Sequence, residues 1–199
     1  MGKIKAVFFD IDGTLVSFKT HRIPPSTLDA VAALRSRGIK VYIATGRPVP
    51  FIDNLGELEY DGMITVTGAH CFTSGGEVIY HQSVSAESVG RVVGHLTHGA
   101  DAYPVIFVCS DEMFITELNE DVDAVARLLD IKMPPVRPAS YARGKDVLQL
   151  ISFFKADREP HFMSALMPDC TSMRWHPFFT DVIAGGVDKS VGIDKVLAY

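Results

Sequence analysis

A short apolar run, residues 6–9, stops abruptly at two acidic residues, Asp10 and Asp12. An apolar run without alternation is typical of a strand buried on both faces, as in a parallel sheet. We expect this strand to span residues 3–9. Polar residues that follow it lie at its carboxyl end, where open α/β sheets bind their ligands. The start of the chain therefore predicts a buried parallel strand that leads into a functional loop.

The loop itself carries two carboxylates, Asp10 and Asp12, which share a face where the strand continues. Carboxylates this close repel each other unless a proton or a cation separates them. A divalent cation that prefers oxygen ligands, Mg²⁺ above all, would serve both. Gly13 allows a tight turn, and Thr14 can hydrogen-bond within the loop. The segment indicates a magnesium site, with a solvated polar turn as the simpler alternative.

The next segments continue with alternating helix and strand patterns. A helix is expected at 26–37, with Ser26 and Asp29 as a capping box and Gly38 as its terminator. Strands are expected at 39–44 and 62–66, and a hairpin at 69–80. This β-α-β order predicts an α/β fold with a Rossmann-like, doubly wound parallel sheet.

From residue 85 onward the pattern changes to a second, α+β unit. Helices are predicted at 85–98, 120–130 and 157–167, and strands at 105–116, 147–154, 171–175 and 180–184. Roughly a hundred residues suffice for a separate core. We therefore expect a core over 1–83, an inserted α+β domain over 84–180 and a return to the core over 181–199. Its final helix, 188–199, is expected to place Val191, Val196 and Leu197 on its apolar side.

Composition excludes several classes of protein. Of the 199 residues, 47% are hydrophobic and 22% charged, which suits a globular protein with a buried core. The net charge of −5, without a dense basic block, argues against a nucleic-acid partner. No apolar run approaches the ~20 residues that span a membrane, and the run at 6–9 is stopped by Asp10 and Asp12, so it is not expected to serve as a signal-peptide core. A cytoplasmic location without a membrane partner is the resulting expectation.

The cysteines and histidines carry no metal pattern. Cys71, Cys109 and Cys170 form no C-x-x-C pair, so they predict neither a zinc site nor a disulfide framework. We expect them to be buried or half-buried thiols. His70 and His81 are interpreted as ordinary polar residues.

Three motifs resemble those of the haloacid dehalogenase (HAD) superfamily of hydrolases. They are Phe-Phe-Asp-Ile-Asp-Gly-Thr-Leu at 8–15, Ala-Thr-Gly-Arg-Pro at 44–48, and Lys189 within Gly-Gly-Val-Asp-Lys at 185–189. The chain is most similar to the Cof-type sugar-phosphate phosphatases. In that subgroup a large α/β cap domain lies between the second and third motifs, so the resemblance implies a HAD-like core with an inserted cap.

The resemblance also implies a role for each motif residue. Asp10 would be the nucleophile and form an aspartyl-phosphate. Asp12 would protonate the leaving alcohol and then activate water. Thr45 would bind a phosphoryl oxygen, and Lys189 would offset negative charge. Mg²⁺ would bridge Asp10, the Asp12 backbone carbonyl and the phosphate of a small phosphorylated metabolite.

Six further residues are predicted at the substrate pocket: Gly13, Thr14, Gly46, Arg47, Thr67 and Gly68. Arg47 either contacts the substrate or lies at the rim. Thr67-Gly68-Ala69 stands where subgroup members usually have Asn-Gly-Ala, so this position lacks the amide.

The family's fourth motif, Gly-Asp-x-x-x-Asp, is not found in the 199 residues. Its aspartate normally adds a metal carboxylate, so we expect an incomplete core that holds Mg²⁺ weakly. The first strand would then be an open edge that invites self-association. Three hypotheses follow: a phosphatase of small sugar phosphates, a truncated or non-catalytic HAD-like fragment with weak phosphate binding, and a phosphomutase.

Overall fold

The structure is a computed structural model that describes residues 4–17, 19–99 and 101–199. Its strands are β1 (Ala6–Phe9), β2 (Lys40–Ala44), β3 (Gly62–Thr65), β4 (His70–Thr73), β5 (Val78–His81), β6 (Val105–Cys109), β7 (Met113–Ile115), β8 (Val147–Ser152), β9 (Cys170–His176) and β10 (Phe179–Ala184). Its α-helices are α1 (Pro25–Ser36), α2 (Ala86–His98), α3 (Glu120–Leu129), α4 (Glu159–Leu166) and α5 (Lys189–Ala198).

These elements form two compact units. The first unit contains the described residues up to His81 together with Val187–Tyr199, and the second contains those of Gln82–Gly186. The first unit has one sheet in the order β1-β2-β3-β4-β5. Strands β1, β2 and β3 are parallel, whereas β4 and β5 form an antiparallel hairpin beyond them. The predicted parallel sheet and hairpin are therefore confirmed.

The edges of this sheet bear on two of the predictions. Lys3, the first residue of the predicted strand, lies outside the described residues. Strand β1 is an outer strand of the sheet as described, with β2 beside it. Self-association through that edge stays a prediction.

Helices α1 and α5 cover opposite faces of the sheet, because successive strand residues point to opposite sides. Val41 and Ile43 of β2 pack in one apolar cluster with Val31 of α1. The alternate residues of β2, such as Ala44, pack in another cluster with Val196 of α5. This arrangement confirms the doubly wound α/β core.

Two details of these helices differ from expectation. The capping box at Ser26 and Asp29 is wrong: α1 is capped by Pro24, without a side-chain hydrogen bond, and has proline at its first position. Proline there is preorganised for a helix start, so the helix needs no side-chain cap. In α5, Val196 is buried as expected, but Leu197 is 61% exposed, so Leu197 does not lie on the packed side of the helix.

The second unit is an α+β domain, as predicted. Its sheet has the order β7-β6-β8-β10-β9, and every pairing is antiparallel. Helices α2 and α4 pack on one face through Val92 and Phe162, in a cluster that includes Phe107, Leu150 and Val182 of the sheet. Burial of this shared apolar face is the main source of stability for such a layer.

The expected return to the core at residue 181 is wrong. Strand β10 pairs with β8 on one side and with β9 on the other, so it is part of the second sheet. Residues 181–186 therefore belong to the second unit, and the chain rejoins the first unit at Val187. The boundary lies after β10 because this strand pairs along its length with β8 and β9. The short distance in sequence from β10 to Lys189 does not bring β10 into the first unit.

Two other expectations concern the described residues as a whole. No helix among them is long and apolar enough to cross a membrane; the cytoplasmic location stays a prediction. Cys71 and Cys109 are buried, Cys170 is half-buried, and all three are free thiols. Burial raises the thiol pKa to about 11 for Cys71 and Cys109 and to about 12 for Cys170.

Candidate active site

The loop after β1 is a compact turn that its own backbone holds together. Leu15 N–H donates to the Asp10 carbonyl at 3.3 Å, and Val16 N–H donates to the Ile11 carbonyl at 2.9 Å. Gly13, with φ of 71°, makes the turn and donates to the Val16 carbonyl at 3.0 Å. A residue with a side chain is disfavoured at that φ. The carbonyl oxygen of Asp12 accepts none of the bonds that close this loop.

Gly13 and Thr14 themselves are exposed on the loop. Thr14 contributes a backbone N–H, which donates to the Ile11 carbonyl at 3.3 Å. The expected side-chain hydrogen bond of Thr14 is not among the contacts of the described residues. Both residues are thus available to a ligand at the carboxyl end of β1.

The Asp10 carboxylate is held by two different donors. Its Oδ1 accepts from the Ile11 N–H at 2.8 Å, and its Oδ2 accepts from Lys189 Nζ at 2.8 Å. The two side chains are 43% and 35% exposed, so both remain accessible. The carboxylate is therefore oriented by its loop and neutralised by one lysine, yet still open to solvent.

Lys189 reaches Asp10 because α5 begins at this residue. Asp188 is the N-cap, and its Oδ1 accepts from the Val191 N–H at 2.9 Å. That bond satisfies one of the unpaired donors at a helix start. Hydrogen bonds from Ser190 and Val191 lower the pKa of Asp188. An ionised cap of this kind fixes the first turn, and with it the position of Lys189.

Thr45 is fully buried at the end of β2. Its backbone N–H donates to the Ile64 carbonyl at 2.8 Å and its carbonyl accepts from the Thr67 N–H at 3.2 Å. Its Oγ1 accepts from the Arg47 N–H at 3.1 Å. Since that oxygen already accepts, the hydroxyl hydrogen of Thr45 is left to donate to a ligand.

Arg47 is bound to Asp12 through a two-pronged ion pair. Its Nε lies 2.9 Å from Oδ2 of Asp12, and its Nη2 lies 2.6 Å from Oδ1. Its Nη1 donates to the Phe51 carbonyl at 2.9 Å. The sequence predicts that Arg47 either contacts substrate or lies at the rim, and it does not predict the ion pair with Asp12. This ion pair places the guanidinium beside the other candidate site residues.

The turn after β3 brings Gly46, Thr67 and Gly68 together. Val66 and Thr67 have φ of 51° and 53°, in the left-handed region that β-branched residues disfavour. A Cβ at Gly46 would lie 3.3 Å from Thr67 Oγ1, and one at Gly68 would lie 2.0 Å from the Asp188 carbonyl oxygen. Gly68 therefore lets this turn pack directly against the start of α5.

The donor atoms fit a magnesium ion in part. The chain supplies a carboxylate at Asp10 and a backbone carbonyl at Asp12, both hard oxygen donors. Mg²⁺ usually binds one or two protein carboxylates, keeps several waters and takes substrate phosphate as a further ligand. Across residues 4–17, 19–99 and 101–199, no group of three or more His, Cys, Asp or Glu side chains could hold a metal ion.

The structure thus brings Asp10, Asp12, Thr45, Arg47 and Lys189 into one unit, each from the carboxyl end of a strand or the start of a helix. Sequence reasoning missed two contributors, the Phe51 carbonyl that anchors Arg47 and the Asp188 cap. The first is a backbone group without a sequence signal. The second had one, since aspartate directly before an apolar helix pattern is a favoured N-cap.

Comparison with known proteins places this fold and site in a family. Residues 7–199 match the family model of haloacid dehalogenase-like hydrolases. The chain belongs to the haloacid dehalogenase-like hydrolase family. The predicted membership of the HAD superfamily is therefore confirmed.

Two relatives by sequence are named as phosphatases. YkrA of Bacillus subtilis strain 168 is 31% identical over 196 residues, which cover 97% of this chain and 73% of YkrA. The HMP-PP phosphatase of Klebsiella pneumoniae strain 342 is 37% identical over 95 residues, which cover 47% of this chain and 34% of that protein.

Two solved structures are similar over nearly the whole chain. The HAD subclass IIB sugar phosphatase BT4131 has a TM-score of 0.84 and 40% identity, covering 98% of this chain and 75% of that one. The phosphatase BT1666 from Bacteroides thetaiotaomicron has a TM-score of 0.85 and 30% identity, covering 98% and 72%. The expected enzyme class, a hydrolase acting on phosphate esters, agrees with these relatives.

Proposed function

We propose that the chain is a phosphatase that hydrolyses phosphate monoesters of small metabolites, sugar phosphates above all, through an aspartyl-phosphate. The observation that carries the proposal is the Asp10 carboxylate, oriented by the Ile11 N–H and paired with Lys189 at 2.8 Å. An accessible carboxylate that is fixed in this way has the orientation that a nucleophile needs. The phosphatase relatives support the same reaction class.

In the first step, a carboxylate oxygen of Asp10 attacks phosphorus and the bond from phosphorus to the alcohol oxygen breaks. Asp12 gives its proton to that oxygen, so the alcohol leaves neutral. Lys189 and the Thr45 hydroxyl offset the charge on the phosphoryl oxygens. Lys189 also reduces the repulsion between the Asp10 carboxylate and an anionic substrate.

In the second step, Asp12 takes a proton from water, and the water oxygen attacks phosphorus. The bond between phosphorus and Asp10 breaks, which releases phosphate and restores both carboxyl groups. For these transfers one of the two Arg47 bonds must open so that an Asp12 oxygen can carry the proton, while the other bond can keep Asp12 oriented. In this mechanism Asp12 therefore acts as the acid in the first step and as the base in the second.

Asp10 and the backbone carbonyl of Asp12 would hold the magnesium ion. When bound, the ion would supply positive charge that polarises the phosphoryl group. The sequence led us to expect weak binding of Mg²⁺, and a site with only these two protein donors is consistent with that expectation. We therefore propose that activity depends strongly on added magnesium.

Release of p-nitrophenol from p-nitrophenyl phosphate, measured with and without MgCl₂, tests the proposal. We expect turnover with magnesium, none in Asp10→Asn, and full turnover in Asp29→Asn, a matched change at an exposed aspartate of α1. Mass spectrometry of the acid-quenched wild type should find phosphate on Asp10. Turnover that survives in Asp10→Asn would refute the nucleophile assignment.

A non-catalytic module that binds phosphate is the second candidate. It is favoured by the shortage of metal-binding side chains in the described residues. Calorimetry with inorganic phosphate separates the two candidates. Phosphate binding that is weakened in Lys189→Gln, without turnover of any phosphate ester, would support the module and exclude the enzyme.

A further inference from the structure

One glycine near the start of α5 has no room for a side chain. Gly192 is buried, and a Cβ there would lie 2.6 Å from Cγ2 of Ile64 in β3. The same Cβ would lie 3.1 Å from the Gly68 Cα and 3.2 Å from the Cys71 Sγ. Carbon atoms that are not bonded to each other prefer a separation of about 3.5–4.0 Å. A side chain at Gly192 is therefore excluded unless α5 or its neighbours move.

The neighbours of Gly192 are the less movable partners. Ile64 belongs to β3, which lies between β2 and β4 in the sheet. The turn that carries Gly68 is tied to the end of β2, because Thr67 N–H donates to the Thr45 carbonyl at 3.2 Å. Helix α5, by contrast, packs on the sheet from one side only. A side chain added at Gly192 would therefore displace α5 and leave the sheet in place.

A buried thiol fills the space between the turn and the helix. Cys71 is fully buried, and its Sγ lies 3.7 Å from the Gly68 carbonyl oxygen and 3.8 Å from the Gly192 carbonyl oxygen. Burial raises the pKa of this thiol to about 11, so it keeps its hydrogen at neutral pH and can donate to either carbonyl. The thiol thus links the backbone of the turn to the backbone of α5.

The turn touches α5 at a second point, directly before Lys189. A Cβ at Gly68 would lie 2.0 Å from the Asp188 carbonyl oxygen and 3.2 Å from the Lys189 backbone nitrogen. Gly192 lies one helical turn further on, since its N–H donates to the Asp188 carbonyl at 3.2 Å. Two close backbone contacts one turn apart fix both the distance and the tilt of the first turn of α5.

Lys189 belongs to that first turn. Its Nζ donates to Asp10 Oδ2 at 2.8 Å. Residues three apart lie on the same side of a helix, so Lys189 follows any displacement at Gly192. To bring the 2.6 Å contact to an ordinary separation, α5 would have to move by about 1 Å. A shift of that size would take Nζ out of hydrogen-bond range of the carboxylate.

We propose that Gly192 is a positioning residue for Lys189. The absence of a side chain lets α5 approach the turn at Gly68 closely enough for the lysine ammonium to reach Asp10 and the phosphoryl group. Gly192 itself touches neither the substrate nor the reacting atoms. The role rests on the proposed function, in which Lys189 offsets negative charge on the phosphoryl oxygens.

A double-mutant cycle with Gly192→Ala and Lys189→Gln tests this role through kcat/KM for p-nitrophenyl phosphate with MgCl₂. Gly192→Ala should lower kcat/KM about tenfold or more when Lys189 is present, since a misplacement of about 1 Å is costly. In the Lys189→Gln background the same change should alter kcat/KM by about twofold at most, because the group that it misplaces is gone. Equal losses in both backgrounds would overturn the proposal.

Gly90→Ala in α2 is the matched control. It is the same change in a helix, but nothing lies within 4 Å of an added Cβ there. It should leave kcat/KM unchanged and raise the unfolding temperature slightly, because alanine is a better helix former than glycine. Thermal unfolding of every variant checks that it is folded.

Ile64→Ala supplies a rescue that separates placement from stability. It removes Cγ2, the atom nearest to the added Cβ, and leaves contacts of 3.1 Å and 3.2 Å. Ile64→Ala/Gly192→Ala should therefore be more active than Gly192→Ala, even though loss of a buried side chain lowers its unfolding temperature. Activity that only follows the unfolding temperature would count against positioning. If Gly192→Ala does not fold, the cycle is run in the Ile64→Ala background.

Crystal structures of the wild type and of Gly192→Ala measure the distance from Lys189 Nζ to Asp10 Oδ2 without any need for turnover. We expect it to exceed about 3.5 Å in the variant. A distance that stays within that limit would contradict the proposal. A lengthened distance in a protein whose wild type has no phosphatase activity would refute the proposed function but support the positioning of Lys189 by Gly192.

Discussion

Arg47 and Asp12 are joined by two parallel hydrogen bonds, of 2.9 and 2.6 Å, that occupy both carboxylate oxygens of the aspartate. Paired bonds of this kind fix both distance and orientation. Arg47 is itself fixed by the Phe51 carbonyl at 2.9 Å. The proposed acid/base group is therefore held in one direction before substrate arrives, and one of the two bonds must open for Asp12 to carry a proton.

Arg47→Lys should show which of these effects matters for turnover. A lysine keeps the charge but cannot form the fork, so it loses the orientation of Asp12. We expect kcat for p-nitrophenyl phosphate to fall about tenfold or more, since misplaced catalytic groups are costly. Arg37→Lys, at an exposed position after α1, is the control. An effect confined to KM would instead assign Arg47 to substrate binding alone.

Lys189→Gln should remove activity without removing stability. The ion pair with Asp10 is partly exposed, and pairs of that type contribute little to folding, about 0–1 kcal/mol. Loss of the positive charge at the phosphoryl group should lower kcat/KM by about 10²–10³-fold. Steady-state kinetics and thermal unfolding measured on the same samples separate the two effects.

The lysine at Lys132 is a matched comparison, since it is exposed and lies in the other unit. Lys132→Gln should leave both kcat/KM and the unfolding temperature within error of the wild type. A large drop in stability for Lys189→Gln would show that this lysine has a structural role in the first unit.

Thr67→Asn should stabilise the protein. Thr67 has φ of 53° and ψ of 32°, a left-handed conformation that asparagine tolerates better than a β-branched residue. Relief of that strain should raise the free energy of unfolding by about 0.5–1 kcal/mol. Thr171→Asn, which has the same chemistry in an extended strand, should give no gain. A lower unfolding temperature in Thr67→Asn than in Thr171→Asn would contradict the strain argument.

Asp181 should make stability depend on pH. Burial raises its folded-state pKa to about 6 from an ordinary 3.8, so the unfolded chain ionises at lower pH than the folded one. Its protonated form contributes stability that is full below about pH 4 and is lost as pH rises through about 6. The loss should amount to about 2–3 kcal/mol.

Urea unfolding of the wild type and of Asp181→Asn at pH 4, 5, 6 and 7 measures this contribution. As pH rises from 4 to 7, the free energy of unfolding of the wild type should fall relative to that of Asp181→Asn. Parallel pH profiles for the two proteins would show that Asp181 ionises normally in the folded state.

The sequence predicted where the candidate site residues lie because the signals for their positions are local. Asp10 and Asp12 follow directly on an apolar strand, Thr45 ends the next one, and Lys189 stands at a helix start. Each such position is fixed by the element beside it, and parallel strands bring their carboxyl ends to one edge. The structure places these residues as expected, and their catalytic roles remain proposals.

The features that sequence reasoning missed depend on long-range packing. The fork between Arg47 and Asp12 needs two side chains 35 positions apart. Strand β10 joins the second unit through its partners β8 and β9, which no pattern within residues 179–184 reveals. The incorrect capping box had a local cause, because the prolines at 24 and 25 already begin α1.

The contact between Asp10 and Lys189 joins residues 179 positions apart, with the whole second unit between them. A chain leaving the ribosome at about 5–20 residues per second needs roughly 10–35 s to travel from one residue to the other. During that time Asp10, the proposed nucleophile, exists without Lys189, and the second unit has been synthesised before the first is complete. Under the proposed mechanism, phosphoryl transfer therefore has to wait until α5 has been made, so the order of synthesis itself delays turnover.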